Sequence, residues 1–295
     1  RIQDDFQRTG LLKIFRDQAG FDAALRIADQ LSKMGFHREY ISANGVIAKE
    51  PTLAPIADKL KHGIYYADDY GADAYKFCKA LEAEILRLGG QIVLNEPISK
   101  LTQSGNSISG AQGKSALWRA DTTIVAAGAH TASLLSPLGR ALALKPVKGY
   151  SLSFDMQDEA ESLPKIPVID ESLHAAITPL GPRLRIAGTA EFTGFDRSLR
   201  PARLRPLLGM LSDIYPKLAE GKTVNDAEPW AGYRPVSADG IPFIGHAGID
   251  GLALNTGHGH MGWTFSAGSG ALLADMLLGD SPALDPAPYS PLRRI

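Results

Sequence analysis

Asn255-Thr256-Gly257-His258-Gly259-His260-Met261-Gly262-Trp263-Thr264 is the stretch that decides how this sequence folds. Before it, Gly251–Thr256 is an apolar run that predicts a buried strand; after it, Trp263–Leu278 predicts a helix with small residues on one face. Residues 257–262 match G-x-G-x-x-G between strand and helix, the dinucleotide fingerprint. Three features set this copy apart. It lies near the C-terminus, so too few residues follow to complete a βαβ unit. No strand with a ribose-binding acid comes about 20 residues later, because Asp280 sits in a Gly-Asp-Ser-Pro turn. Two histidines and a methionine are bulky for a loop that must hug a pyrophosphate. A helix N-terminus still carries roughly half a positive charge and open N–H groups, which suit an anion or an electron-rich ring edge. The turn reads as a ligand cradle or as a tight packing turn.

Outward from that turn, the pattern alternates between strand and helix. Thr9–Phe15 predicts a buried strand, and Asp17 then precedes a helix with Phe21, Ala24, Leu25, Ala28 and Leu31 at helical spacing, ended by Gly35. Asp73 is the expected N-cap of a helix whose inner face is Phe77, Leu81, Ile85 and Leu88, stopped by Gly89-Gly90. Gln91–Leu94, Ile98–Leu101, Ser107–Gln112 and Ala116–Ala120 read as short strands, and Thr122–Gly128 as a buried strand running into glycine. Between Pro146 and about Trp230 lie Gly149–Phe154, His174–Thr178 and Arg183–Ala187 as strands, then a helix through Leu204, Leu207, Leu208, Leu211 and Tyr215, closed by Pro216. Two spatial domains built from discontinuous segments are expected.

Composition narrows the function classes. Lys and Arg total 31 against 32 Asp and Glu, a net charge of −1, which argues against a nucleic-acid binder. One cysteine, Cys78, excludes an internal disulfide and a cysteine-rich zinc site and fits a reducing compartment. No apolar run approaches the ~20 residues of a membrane span, and the polar opening Arg1–Arg8 is not expected to act as a secretory signal. His258-x-His260 resembles a metal-ligand pair, but the other histidines show no ligand spacing, so no metal is expected. Ala267-Gly268-Ser269-Gly270 lacks the nucleophile-elbow pattern.

Arg234 sits in Gly232-Tyr233-Arg234-Pro235, ahead of Asp239-Gly240-x-Pro242. Fixed in such a run, it presents a planar fork to a ligand carboxylate, or else forms an internal salt bridge with Glu228 or Asp239. Tyr150 and His174 fall on strands and read either as pocket-lining or as core residues.

Taken together, Lys148-Gly149-Tyr150-Ser151-Leu152, Gly232-Tyr233-Arg234-Pro235, Gly188-Thr189-Ala190-Glu191, Gly194-Phe195-Asp196 and residues 255–264 resemble the FAD-dependent amine oxidoreductases that include D-amino-acid dehydrogenases, glycine oxidase and D-amino-acid oxidase. The resemblance runs over essentially the whole chain. It implies a mixed α/β fold: an FAD-binding domain of the glutathione-reductase-like class (66–145 and 231–295), incomplete at its N-terminus, and a substrate domain with a mainly antiparallel sheet (1–65 and 146–230). It implies oxidation of a D-amino acid to an imino acid by hydride transfer to FAD, followed by release of ammonia and a 2-oxo acid. The same scaffold also suits glycine, sarcosine or hydroxyproline. Arg234, Tyr150 and His258 are then the catalytic candidates. Ala126, Ala127, Gly128, Gly232, Gly257, His258, Gly259, His260, Met261, Gly262, Trp263 and Thr264 are the cofactor-binding candidates. A quinone-type respiratory acceptor is implied, with a cytoplasmic location and only peripheral contact with the inner membrane. The family opens with a strand–turn–helix for the ADP half of FAD. Its absence from this sequence leads to the expectation of a further N-terminal segment, of about a hundred residues or more, or of a partner chain that supplies it. The competing expectation is a flavin-free fragment or subunit that acts only with a partner supplying the N-terminal unit.

Overall fold

Leu11–Phe15 forms β1, with Leu12 and Ile14 fully buried. The Asp17 carboxylate accepts from Gly20 N at 2.7 Å, satisfying one of the donors that every helix start leaves open, and α1 follows as Gln18–Lys33. The computed structural model describes residues 7–295. Residues 1–6, part of the polar opening noted above, lie outside the described residues.

The chain continues through β2 Glu39–Ser42, α2 Ala43–Lys49, β3 His62–Tyr66, α3 Ala74–Arg87, β4 Lys100–Ser104, β5 Ser107–Gln112, β6 Leu117–Trp118, β7 Thr123–Val125 and α4 Thr131–Leu135. Then come β8 Leu144–Asp155, β9 Val168–Asp170, β10 Ala175–Leu180, β11 Arg183–Glu191, α5 Pro201–Ile214, α6 Pro216–Ala219, β12 Ala227–Ser237, β13 Phe243–His246, β14 Leu252–Thr256 and α7 Gly262–Leu278. Contacts divide the chain into two units. One comprises the chain up to Gly90, Gly149–Ala190 and Arg197–Gly232; the other comprises Gln91–Lys148, Glu191–Asp196 and Tyr233–Ile295.

The first unit is built on an eight-stranded sheet of order β12-β8-β11-β10-β9-β1-β3-β2. Pairings β1/β3, β2/β3, β9/β10 and β10/β11 are antiparallel, and β1/β9 is parallel. The alternation of β10, Ala175 and Ile177 in and Ala176 and Thr178 out, is the period-two signature of a sheet with one covered face. Leu204, Leu207, Leu211 and Ile214 of α5 supply the facing apolar stripe. Two buried carboxylates are fully engaged. Glu50 accepts from Thr52 Oγ1 and from the Lys165 and Ile166 amides, and Asp170 accepts from Arg16 and the Ser172 and Leu173 amides.

The second unit holds two three-stranded sheets, β13-β14-β7 and β4-β5-β6. β14 pairs antiparallel with β13 and parallel with β7. α7 packs on this sheet through Leu272 and Leu273 against Ile244 and Ala253. No helix among the described residues is long and apolar enough to cross a membrane.

Some expectations differ from the structure. α3 forms with Asp73 as its cap, but Leu81, Ile85 and Leu88 are 37%, 45% and 71% exposed. Periodicity says which residues share a face, not what covers it. Gln91–Leu94 forms no strand, because an apolar run becomes one only where a ladder partner lies alongside.

Candidate functional site

The site in the second unit begins with strand direction. β14 and β7 run parallel, Leu252–Leu254 beside Thr123–Val125, so their carboxyl ends reach the same edge. In open α/β sheets that edge is where ligands collect. Thr256 Oγ1 donates to the Gly128 carbonyl at 3.1 Å and lies 3.3 Å from Thr131 Oγ1, which ties the two strand ends together. A Cβ added to Gly128 would meet nothing within 4 Å.

The turn after β14 is packed on one side and open on the other. Gly257 has φ +84°, and a Cβ there would fall 3.0 Å from the Phe243 ring and 3.3 Å from Leu144. Gly259 has φ +56°, with its nearest neighbour 4.0 Å from an added Cβ. Both backbones favour glycine, the first also because of close approach. Gly259 N–H donates to the Pro235 carbonyl at 2.9 Å, and Val236 bridges antiparallel to His258. α7 then starts at Gly262 with no side-chain cap. The first-turn amides of Gly262 and Thr264 have no acceptor inside the helix and carry the positive end of its dipole.

The His258 ring turns toward the helix, with Nε2 2.9 Å from Ser269 Oγ, itself buried inside α7. Burial lowers the His258 pKa. His260 and Thr264 are exposed, as are Met261 and Trp263, each at 36%.

Arg234 lies on β12 one residue before Pro235, which confines its backbone to the extended region. Burial lowers its pKa. Asp239 is not its partner. The Asp239 carboxylate is held by Arg293 through Nε at 2.8 Å and a terminal nitrogen at 3.0 Å, and that pairing lowers its pKa to about 2. Beside Arg234, the Tyr233 ring stands edge-on to Phe195 at 5.6 Å and to His130 at 6.5 Å, and the Phe195 and His130 rings stack at 4.4 Å. The Lys148 ammonium, whose side chain is 1% exposed, lies 3.6 Å from the Asp196 carboxylate.

The structure therefore brings Gly128, Arg234 and residues 257–264 together within the second unit. Ala126 and Ala127 follow β7 into the same edge. Tyr150 and Gly232 belong to the first unit. Tyr150 is 1% exposed within its main core, and Gly232 makes room for the Trp230 ring, 2.1 Å from where a Cβ would sit. His174 is an exposed turn residue with φ +50°. Sequence reasoning missed Ser269 as the partner of His258, Arg293 as the partner of Asp239, and the His130–Phe195–Tyr233 cluster. Only Gly194-Phe195-Asp196 was marked by a motif. No group of three His, Cys, Asp or Glu among the described residues is arranged to hold a metal ion.

Comparison with known proteins sets this geometry in context. D-amino acid dehydrogenase of Bradyrhizobium diazoefficiens is 38% identical over 284 residues, and that of Paramagnetospirillum magneticum is 37% identical over 283; each match covers 96% of this chain and 66% of the relative. The chain thus spans about two thirds of the length of these relatives. Glycine oxidase of Geobacillus kaustophilus superposes with a TM-score of 0.88 at 24% identity, covering 100% of this chain and 77% of that one. Glycine oxidase of Bacillus cereus gives 0.84 at 25%, covering 100% and 78%. A family model described as FAD dependent oxidoreductase matches residues 1–276, and on that extent of match the chain belongs to the FAD dependent oxidoreductase family.

Proposed function

We propose that this chain carries the flavin-ring and substrate-binding part of a D-amino-acid dehydrogenase, which oxidises a D-amino acid to the imino acid that water converts to a 2-oxo acid and ammonia. The observation that carries the proposal is the backbone junction at Gly259 and Pro235. It joins an uncapped helix start to the strand residue next to Arg234.

The residues present fit a flavin. The turn is open outside Gly259, an added Cβ at Gly128 would meet empty space, and the amides of Gly262 and Thr264 lack helical acceptors. These donors, with the positive end of the α7 dipole, would hold the electron-rich edge of the ring and favour negative charge there. Bound FAD would supply the two-electron acceptor for the substrate Cα–H bond. Arg234 would grip the substrate carboxylate through its planar fork, orienting Cα and supplying part of the rate by positioning. His258, held against Ser269 with a lowered pKa, stays neutral near pH 7 and braces the turn. Passage of electrons to a quinone-type acceptor is proposed from the family resemblance.

A second reading, oxidation of glycine or an N-alkyl glycine, is favoured by the superposition on two glycine oxidases. The test is the visible spectrum of the purified chain. A band near 450 nm that D-alanine bleaches anaerobically supports the proposal, and bleaching by glycine or sarcosine instead supports the second reading. A colourless chain that takes up no added FAD overturns flavin binding by this chain alone and supports a flavin-free subunit that needs a partner.

A further inference from the structure

Glu191–Asp196 groups with the second unit, although the chain on either side, up to Ala190 and from Arg197, groups with the first. Six residues therefore leave one unit, dock on the other and return. Two anchors hold them there. Phe195 stacks on His130, centroids 4.4 Å apart and planes at 15°, and Tyr233 meets both rings edge-on. Asp196 faces the buried Lys148 ammonium at 3.6 Å. A buried cation beside a carboxylate is costly to break, so this second anchor fixes where Phe195 arrives.

The rings that Phe195 touches sit beside the residues of the proposed site. His130 follows Gly128 by two positions, and Tyr233 immediately precedes Arg234. Proline at 235 already confines the Arg234 backbone, and the Gly259–Pro235 hydrogen bond pins the strand on its C-terminal side. β12 is also hydrogen-bonded to β8 in the sheet, and on this side the Tyr233 ring adds packing against Phe195 and His130. The Tyr233 hydroxyl is buried with no hydrogen-bond partner, so this side chain is held by ring packing and not by polar bonding.

We propose that Phe195 is a positioning residue: by stacking on His130 and packing edge-on to Tyr233, the docked segment sets the place from which Arg234 presents its guanidinium to a carboxylate. The inference rests on the proposed role of Arg234. It adds that the affinity of that arginine is set by a ring 39 positions away in sequence (234 − 195) that need not itself touch substrate.

The experiment follows the Arg234 Nε–Hε NMR resonance of the full chain, assigned by its loss in Arg234→Lys, during titration with benzoate as a small carboxylate. Phe195→Ala is expected to move the free resonance and weaken benzoate about tenfold, a loss of ~1.4 kcal/mol in affinity. Phe195→Tyr keeps the ring and Tyr233→Phe keeps the packing, and both should match wild type. In flavin-loaded protein, Phe195→Ala should raise KM about tenfold with kcat within about twofold, a split that general unfolding would not give. Should Phe195→Ala fail to fold, His130→Ala removes the same stack from an exposed position. An unmoved resonance and unchanged benzoate affinity in the alanine variants would overturn the proposal while leaving the Arg234 assignment intact. A wild-type resonance that ignores benzoate would instead remove the carboxylate role of Arg234, and with it the proposal.

Discussion

Gly259 donates its N–H to the carbonyl of Pro235 at 2.9 Å, so the turn that opens α7 and the strand that carries Arg234 share one backbone hydrogen bond. A helix start and the strand backbone that carries Arg234 are thereby held in fixed relation by main chain. Side-chain changes on either partner should leave that relation standing, whereas changes of backbone preference in the turn should not.

The two glycines of the turn should respond differently. Gly259 is left-handed but open, and Gly257 is left-handed and pressed against Phe243. Gly259→Ala is expected to cost about 1–2 kcal/mol, the conformational penalty alone. Gly257→Ala should cost more, because the Phe243 ring must also move. Urea unfolding of both variants measures the difference, and equal losses would mean that the contact with Phe243 carries no strain.

Arg234→Ala is expected to raise KM for a D-amino acid about 30- to 100-fold, the loss of one charge-assisted pair of ~2–3 kcal/mol. Arg234→Lys should recover only part, since an ammonium keeps the charge and loses the planar fork. The 450 nm absorbance of both should match wild type. Loss of bound flavin in Arg234→Lys would assign the residue to the fold instead.

His258 gives a pH dependence with a definite sign. Burial lowers its pKa in the folded chain below the ordinary value of about 6.5. Its contribution to stability is therefore whole above about pH 6.5 and is lost as pH falls through the lowered folded value. His258→Gln should flatten the stability profile over that window relative to wild type. Denaturant midpoints between pH 5 and 8 read this directly, and parallel profiles would show that the imidazole does not titrate with folding.

Local signals made some of this legible in the sequence. Asp17 and Asp73 announce their helices because an N-cap acts within three residues, and β5 ends where turn residues say it should. The site turn was legible for the same reason, since strand, glycine turn and helix are consecutive. The partners of its residues were not. His258 and Ser269 are 11 residues apart, Phe195 and His130 are 65 apart (195 − 130), and Arg293 reaches Asp239 across 54. Nothing in spacing encodes such meetings, because they depend on where whole strands are delivered. The exposed stripe of α3 is the converse case: its period is plain, but its environment is not a property of the period.

Arg293 and Asp239 illustrate how a distant pair shapes the strand next to the site. Arg293 grips both carboxylate oxygens, donates to the carbonyls of Ile241 and Pro242, and lies 4.0 Å over the Phe243 ring. The chain end thus pins the loop between β12 and β13, and the Phe243 ring it covers is the one that packs under Gly257. The Asp239 pKa is lowered to about 2, against about 3.9 for a free aspartate. Its stabilising effect is therefore present above about pH 4 and is lost as pH falls toward 2. Arg293→Met should return the Asp239 titration toward its ordinary range and remove that acid-range slope, with Asp239→Asn giving the same flattened profile. The double variant should lose no more stability at pH 7 than the worse single one, because the two changes break one interaction. Carboxylate titration by NMR alongside urea unfolding at pH 2–7 measures both parts, and fully additive losses would mean that Arg293 acts through its carbonyl bonds instead of through Asp239.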